Sequence, residues 1–188
     1  GALLQLINRD VKYICMSTLD NLGATIDPVE LGYFARSGKG MLAEIGRKYE
    51  NDQGGAPARV DGKLRMVEQQ YFDPRFDQDQ LPEFNTATYI FSTDGILEMF
   101  GLTIDGLREF SKPEKKREFV EHVEAVCGAL PVYPVVKETA LKGQKTPVLQ
   151  FEQMVQDSML MLHAEKRMFI VVDREKRFFP IKDRTDLD

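Results

Sequence analysis

Apolar and polar positions along the chain fall into short blocks whose spacing alternates between that of a helix and that of a strand. Leu3, Leu4 and Ile7 form a helical stripe that leads into a strand-length apolar block, Tyr13 to Met16. That block ends in a polar cluster, Ser17, Thr18, Asp20 and Asn21, followed by Gly23. Asp27, Pro28 and Glu30 then supply an N-cap, a first-turn proline and an acid at the third position, which predicts a helix over 28–37 carrying Leu31, Tyr33 and Phe34. Met41 to Ile45 predicts a strand. Gly54-Gly55 marks backbone that needs unusual dihedrals or a close approach. Ala58–Val60 and Leu64–Val67 flank Asp61-Gly62, a strong hairpin signal.

Tyr71 to Glu83 is polar and contains Pro74 and Pro82, so it reads as a loop, whereas Phe84 to Phe91 reads as a central strand. Thr93 or Asp94 caps a short helix through Met99. Ser111-Lys-Pro-Glu114 opens a helix over roughly 113–127 with Phe119, Val123 and Val126 on its core side. Val132 to Val136 predicts a strand, and 137–147, rich in lysine, a loop. Phe151, Val155, Met159 and Leu162 repeat at helical spacing, making 148–163 the clearest amphipathic helix by pattern. Met168 to Val172 predicts a strand and Phe178 to Ile181 a short extended piece. This alternation predicts one α/β unit with a mixed, mainly parallel sheet and an inserted β-hairpin, without internal repeats.

A strand that ends in a carboxylate, then a loop, then a helix is how open α/β sheets build ligand sites at the carboxyl ends of their strands. Asp20 would then point into a crevice; the alternative is that Asp20 and Asn21 form a turn after a buried strand. Of the 188 residues, 43% are hydrophobic and 29% charged, with a formal net charge of −5, as expected of a soluble globular protein without nucleic-acid affinity. A phosphate-rich ligand would therefore need local Lys, Arg or metal. Cys15 and Cys127 read as small core hydrophobes in a reducing setting, the cytoplasm being expected and an organelle lumen after transit-peptide removal the alternative. No apolar run approaches the ~18–20 residues of a membrane span, and no signal-peptide pattern opens the chain. His122 and His163 lie inside helix-like patterns and read as structural. No Ser-His-Asp set and no zinc-ligand spacing is present. What remains is carboxylate-and-lysine chemistry, which suits phosphoryl or nucleotidyl transfer supported by Mg²⁺.

Asp20-Asn-Leu-Gly-Ala-Thr-Ile-Asp27 resembles the Asp-Asn-Leu-Gly-Ala-x-x-Asp motif of UTP–sugar-1-phosphate uridylyltransferases, the UDP-glucose pyrophosphorylases and their relatives. The resemblance continues in order along the chain. Leu42-Ala-Glu-Ile45 is similar to the family's Met-Glu-Val strand, Gln53-Gly-Gly55 to its Lys-Gly-Gly, Gly62-Lys-Leu-Arg-Met-Val-Glu68 to Gly-Lys-Leu-x-Leu-x-Glu, and Phe84-Asn-Thr86 to the opening of Phe-Asn-Thr-Asn-Asn. Pro134-Val-Val-Lys137 resembles a segment ending in Pro-Lys, Val148–Glu152 the family's Ile-Gln-Leu-Glu, and Arg177–Lys182 with Asp186-Leu187 its Arg-Phe-x-Pro-Val-Lys-x-x-x-Asp-Leu.

The resemblance implies a Rossmann-like nucleotidyltransferase fold of the GT-A type and a Mg²⁺-dependent transfer between UTP and a sugar 1-phosphate, with glucose 1-phosphate the expected sugar. It implies that Asp20 is the metal ligand and, with Lys182 on the phosphates, the catalytic pair. Glu44, one glycine of the pair Gly54 and Gly55, and Asn85 would contact the sugar, and Asn21, Gly23 and Lys137 belong to the same implied substrate-binding set. From the residues alone, Glu44 could instead be a pleat-edge charge and Asn85 a strand polar group with a backbone partner. Arg174, Lys176 and Arg177 read as a solvated turn. The family's Gly-rich phosphate loop does not occur here, so residues 1–188 are expected to be the central-to-C-terminal part of a catalytic domain, incomplete at the N-terminus. Such a piece alone is expected to bind UTP weakly and to be inactive. Thr18, Gln53 and Thr86-Ala-Thr88 depart from the family pattern near the sugar. They leave open a non-catalytic sugar-nucleotide module, or a pyrophosphorylase for UDP-N-acetylhexosamine. The sequence sets no oligomeric state.

Overall fold

The computed structural model describes residues 2–49, 52, 54–141, 144–181 and 184. Helix α1 (Ala2–Asn8) leads into β1 (Tyr13–Met16), and helix α2 (Pro28–Ser37) into β2 (Met41–Arg47). The hairpin β3 (Ala56–Val60) and β4 (Lys63–Val67) precedes the long strand β5 (Glu83–Ser92). Helices α3 (Thr93–Met99), α4 (Ile104–Phe110) and α5 (Lys116–Gly128) follow, then the two-stranded arm β6 (Tyr133–Leu141) and β7 (Gln144–Glu152). Strand β8 (Arg167–Val172) and the single helical turn α6 (Arg174–Arg177) complete the order.

Four strands form one mixed sheet in the order β1-β5-β2-β8. The α/β class and the mixed sheet are as expected, but the sheet is not mainly parallel: β2 runs parallel to β8, while β5 is antiparallel to both β1 and β2. The route of the chain explains this. The path from β2 to β5 passes through a hairpin and a loop without a crossover helix, so β5 returns beside β2 in the opposite sense. The path from β5 to β8 carries three helices and the arm. The hairpin forms where Asp61-Gly62 predicts it, with both turn residues at positive φ (50° and 75°).

Strand β2 is buried on both faces. Met41, Ala43 and Ile45 join Tyr89, Phe91, Met66, Met99, Met159 and Leu162 in one cluster. Leu42 joins Phe34 of α2 and Ile90 in the other. Alternation along the strand therefore puts Glu44 on the α2 side, with no exposed surface. Helix α2 starts as predicted: the Asp27 carboxylate accepts from Val29 N (2.7 Å) and Glu30 N (3.2 Å).

Four expectations need correction. Residues 148–163 are not a helix: 144–152 is a strand and 155–161 a run of 3₁₀ turns. Pro147 and the β-branched Thr146 and Val148 disfavour helix at its start, and β6 supplies a ladder from Tyr133↔Glu152 outward. Phe151, expected in the core, is 71% exposed, although Met159 and Leu162 are buried. The 137–147 stretch is accordingly two strands rather than a loop, apart from 142 and 143, which lie outside the described residues. Cys15 is exposed, because it sits on the short edge strand β1. Ser92, not Thr93 or Asp94, caps α3 by accepting from Gly95 N at 2.9 Å. Among the described residues, no helix is long and apolar enough to cross a membrane.

Candidate active site

Strand β1 delivers the chain into a loop, 17–27, that is tied to the segment after α6. Asn21 is 5% exposed, and its side chain is spent on main chain far away in sequence. Its amide donates to Arg177 O (3.1 Å), and its Oδ1 accepts from Phe179 N (2.9 Å) and Gly23 N (3.1 Å). Leu22 N donates to Phe179 O (3.0 Å) and Ile181 N to Asp20 O (2.9 Å), flanking a bridge between Asn21 and Pro180. Gly23 lies so close to this segment that a Cβ would sit 2.5 Å from the Arg177 carbonyl carbon. In this structure Asn21 and Gly23 therefore hold two loops together. Asp20 is half-buried, and among the described residues nothing bonds its carboxylate. Lys182 follows directly in sequence but lies outside the described residues, as does Gln53.

Beneath this loop lies a buried charge cluster that the sequence reading missed. Arg177 is 8% exposed, not solvated. Its guanidinium grips both oxygens of Glu44, with Nε to Oε2 at 3.3 Å and a shorter contact from Nη2 to Oε1. Its Nη1 donates to Thr25 O (2.6 Å) and Thr25 Oγ1 (2.9 Å), and Glu30 Oε2 lies 3.5 Å from Nη2. Burial, and then the neighbouring Glu44 charge, push the Glu30 carboxyl up to about 7, against the pull of Arg177. With both oxygens engaged, Glu44 holds Arg177, and Arg177 holds the loop that carries Asp20. Arg174 is likewise not a solvated charge. It stacks over Tyr49 (4.6 Å), Phe84 (4.7 Å) and Phe178 (5.2 Å) and pairs with Asp52 at 2.9 Å, which clamps α6 to the end of β2. Lys176, by contrast, is solvated as expected.

A second polar group lies one register step from Glu44. Ile45 faces Asn85 across the β2–β5 ladder, and a bulge at 86–88 interrupts the pairing opposite Glu44. Ala87 occupies the left-handed region there (φ 56°). Asn85 N donates to Gly55 O (2.7 Å), Asn85 Oδ1 accepts from Ala87 N (3.0 Å), and its amide donates to the Tyr89 hydroxyl (2.8 Å). Gly54 has φ 141°, and a Cβ on Gly55 would lie 2.8 Å from Val67 O, so the Gly-Gly pair provides both the dihedral and the close approach that the sequence suggests. Glu68 and Gln156, neither of them given a role by the sequence, pack behind Gly55 and Asn85 and bond each other. Lys137 is not brought to either group: it pairs with Glu152 on the exposed β6–β7 arm. His122 is structural, as its pattern suggests, with Nε2 2.7 Å from Phe100 O. Among the described residues, no three His, Cys, Asp or Glu side chains cluster as a metal cage.

The site thus offers one carboxylate to which, among the described residues, nothing is bonded, in the loop that follows β1 and beside a segment leading to a lysine, together with a polar wall on β5. A Schizosaccharomyces pombe protein described as a probable UTP–glucose-1-phosphate uridylyltransferase is 25% identical over 190 residues, covering 100% of this chain and 33% of its own length. The structure is also similar to a UDP-glucose phosphorylase from Trypanosoma brucei (27% identity, TM-score 0.69, all of this chain and 37% of that one). A mutant UDP-glucose pyrophosphorylase from Leishmania major, in complex with UDP-glucose, gives 25% identity and a TM-score of 0.70, with 100% of this chain and 38% of that one covered. The chain therefore spans only about a third of the length of these proteins (33–38%). The sequence model of the UTP–glucose-1-phosphate uridylyltransferase (UDPGP) family matches residues 1–187, and the chain belongs to that family.

Proposed function

We propose that this chain forms the metal-side and sugar-side walls of a uridylyltransferase site that converts UTP and glucose 1-phosphate into UDP-glucose and pyrophosphate. The observation that carries the reading is the stitch between residues 20–23 and 177–181, which joins the Asp20 loop to the backbone that continues into Lys182. In the reaction, a phosphate oxygen of glucose 1-phosphate attacks the α-phosphorus of UTP in line. The bond from that phosphorus to the bridging oxygen breaks, and pyrophosphate leaves with the electron pair.

Such a transfer depends on positioning and charge neutralisation more than on covalent help. A carboxylate that, among the described residues, has no cage of further ligands around it fits Mg²⁺, which takes one or two carboxylates and completes its shell with water and substrate phosphates. Asp20 would hold that ion, which supplies charge neutralisation on the phosphate oxygens. Lys182 contributes a compact positive charge to the same phosphates. Gly55 lets the hexose ring approach the backbone, and Asn85 contacts the sugar from β5. Glu44 works at one remove, through Arg177.

The test is the protein expressed from its complete gene, as wild type and Asp20→Ala, assayed with UTP, Mg²⁺ and glucose 1-phosphate. Loss of a charge-stabilising group of this kind lowers kcat by about a hundredfold or more. Unchanged UDP-glucose formation in Asp20→Ala removes Asp20 from the metal site. Absence of product in the wild type, with UDP-glucose still bound, would assign the fold to sugar-nucleotide binding alone.

A further inference from the structure

Three residues compete for the guanidinium of Arg177 beneath the Asp20 loop. Its Nε and Nη2 fork onto the two oxygens of Glu44, and its Nη1 donates to Thr25 O and Thr25 Oγ1. Of the five N–H groups, one on Nη2 is left over. Glu30 Oε2 faces that nitrogen at 3.5 Å, too far for a charge-assisted bond. Both carboxyls are buried, and the second oxygen of Glu30 has no partner among the described residues. With a proton on Glu30, the cluster is neutral and Glu30 donates to Glu44. Without that proton the cluster buries a net negative charge. The other ionisable groups around Glu30 bring no relief. Asp27, on the same helix, is acidic and caps Val29 N and Glu30 N. Cys15 on β1 faces the pair as a thiol that burial, then Glu44 and Glu30, push up. Asp173 and Lys176 pair with each other (2.9 Å) at the rim of a groove of about 630 Å³ between α2 and β8. That groove opens to solvent and reaches Glu30, which gives the proton a route in and out.

Arg177 is left as the group that must answer an ionised Glu30. Bringing Nη2 from 3.5 Å to the roughly 2.8 Å of a charge-assisted bond draws the guanidinium away from Thr25. We propose that Glu30 and Glu44 form a proton-operated latch on the loop that carries Asp20. The loop is fastened through Arg177 and Thr25 while Glu30 holds its proton, and released when the proton leaves. The consequence for the metal rests on the reading of Asp20 above; the latch itself does not. A carboxyl raised by burial keeps its fastening effect at low pH and loses it as pH rises through about 7.

The experiment is amide hydrogen exchange from pH 6 to pH 8, corrected for the intrinsic effect of pH, on the protein expressed from its complete gene. Wild type is compared with Glu30→Gln. The amides of Leu22, Ala24 and Thr25, each hydrogen-bonded, report the loop, and those of β2 report global unfolding. In wild type the loop amides should lose about tenfold in protection, the worth of one charge-assisted hydrogen bond. Glu30→Gln has no proton to lose and should keep at pH 8 the protection it has at pH 6. Wild-type loop protection that does not change with pH overturns the latch. So does a Glu30→Gln variant whose loop loses protection as the wild type does. Loop amides that exchange at the rate of the β2 amides at every pH open only with the whole fold, which also overturns it. Titration with Mg²⁺ in the presence of UDP-glucose separates the latch from the metal reading. The Mg²⁺ dissociation constant should rise about tenfold from pH 6 to pH 8 in wild type and stay level in Glu30→Gln. A loop that is released while the wild-type Mg²⁺ constant stays level upholds the latch and removes Asp20 from the metal site.

Discussion

Replacing Glu30 by glutamine should stabilise this protein, and only above acidic pH. Glu30 (6% exposed) and Glu44 (0%) share one buried guanidinium, and Arg177 spends most of its grip on Glu44. Glu30 Oε2 lies 3.5 Å from Arg177, and its other oxygen is buried without a partner among the described residues. Glu30 is thus the surplus negative charge. Its carboxyl, ordinarily at 4.5, is pushed up to about 7 by burial and by Glu44. In the unfolded chain the proton leaves near the ordinary value, whereas the folded protein retains it until about 7. Between those limits the unfolded state binds fewer protons than the folded one, so stability falls as pH rises through the window and levels off above it. A full shift of that size corresponds to about 3 kcal/mol, and solvent screening around the carboxyl brings the expectation to about 2 kcal/mol. A glutamine in this place has no proton to lose, can still donate to Glu44, and can still face Arg177 with its carbonyl. Urea unfolding of wild type and Glu30→Gln, followed by circular dichroism from pH 4 to pH 8, gives the difference directly, since the other carboxylates cancel. The two proteins should coincide near pH 4 and separate by pH 8, with the Glu30→Gln variant the more stable. A difference that does not change with pH, or a variant that is weaker than wild type at pH 8, would mean that Glu30 is ionised against Arg177, and the argument would fail.

Gly23→Ala places a methyl 2.5 Å from the Arg177 carbonyl carbon. Rigid backbone on both sides makes this an overpacking cost of about 1–3 kcal/mol, visible as a lower melting temperature and faster protease cleavage within residues 17–25. Wild-type cleavage rates there would refute the stitch. Ala87→Gly removes a side chain from a left-handed position (φ 56°). Relief of about 1–2 kcal/mol, offset by about 0.5–1 kcal/mol of glycine entropy, should leave a net gain of about 0.5–1 kcal/mol by chemical unfolding. A loss of stability would show that Ala87 is not strained.

Strand and helix existence was legible where local chemistry decides it. Tyr13–Met16 and 28–37 have the bounds their apolar blocks and caps predict, and Asp61-Gly62 turns the hairpin. Direction was not legible, because a period of two says that a strand is half-buried and nothing about which way its neighbour runs. Whether β5 lies parallel or antiparallel to β2 depends on the route between them, which is a long-range property. The apparent helix at 148–163 failed for a related reason. Val155, Met159 and Leu162 are spaced as on a helix, but β6 offers 144–152 a ladder, and Pro147 makes the helical alternative costly.

The site divides along the same line. Asp20, Asn21 and Gly23 stand out in sequence as a group, yet the bonds of Asn21 go to residues 156 and 158 positions away, so its architectural part could not be read locally. Arg174 and Arg177 were misread because a cluster of charges ordinarily signals solvent. One signal did point the other way. Met41 to Ile45 reads as a continuously apolar strand but for Glu44, and a carboxylate on a strand buried on both faces requires a cation within reach. The sequence offers many arginines and no way to choose among them. The choice is made by Gly23, whose missing side chain lets the Arg177 backbone lie against the Asp20 loop while its guanidinium turns down to Glu44. A residue matched to a sugar-contacting position by resemblance is thus tied, through Arg177, to the loop that carries Asp20, the carboxylate proposed above to hold the metal. On this argument, loss of Glu44 should disturb phosphate and sugar binding together, whereas loss of Asn85 should disturb the sugar alone.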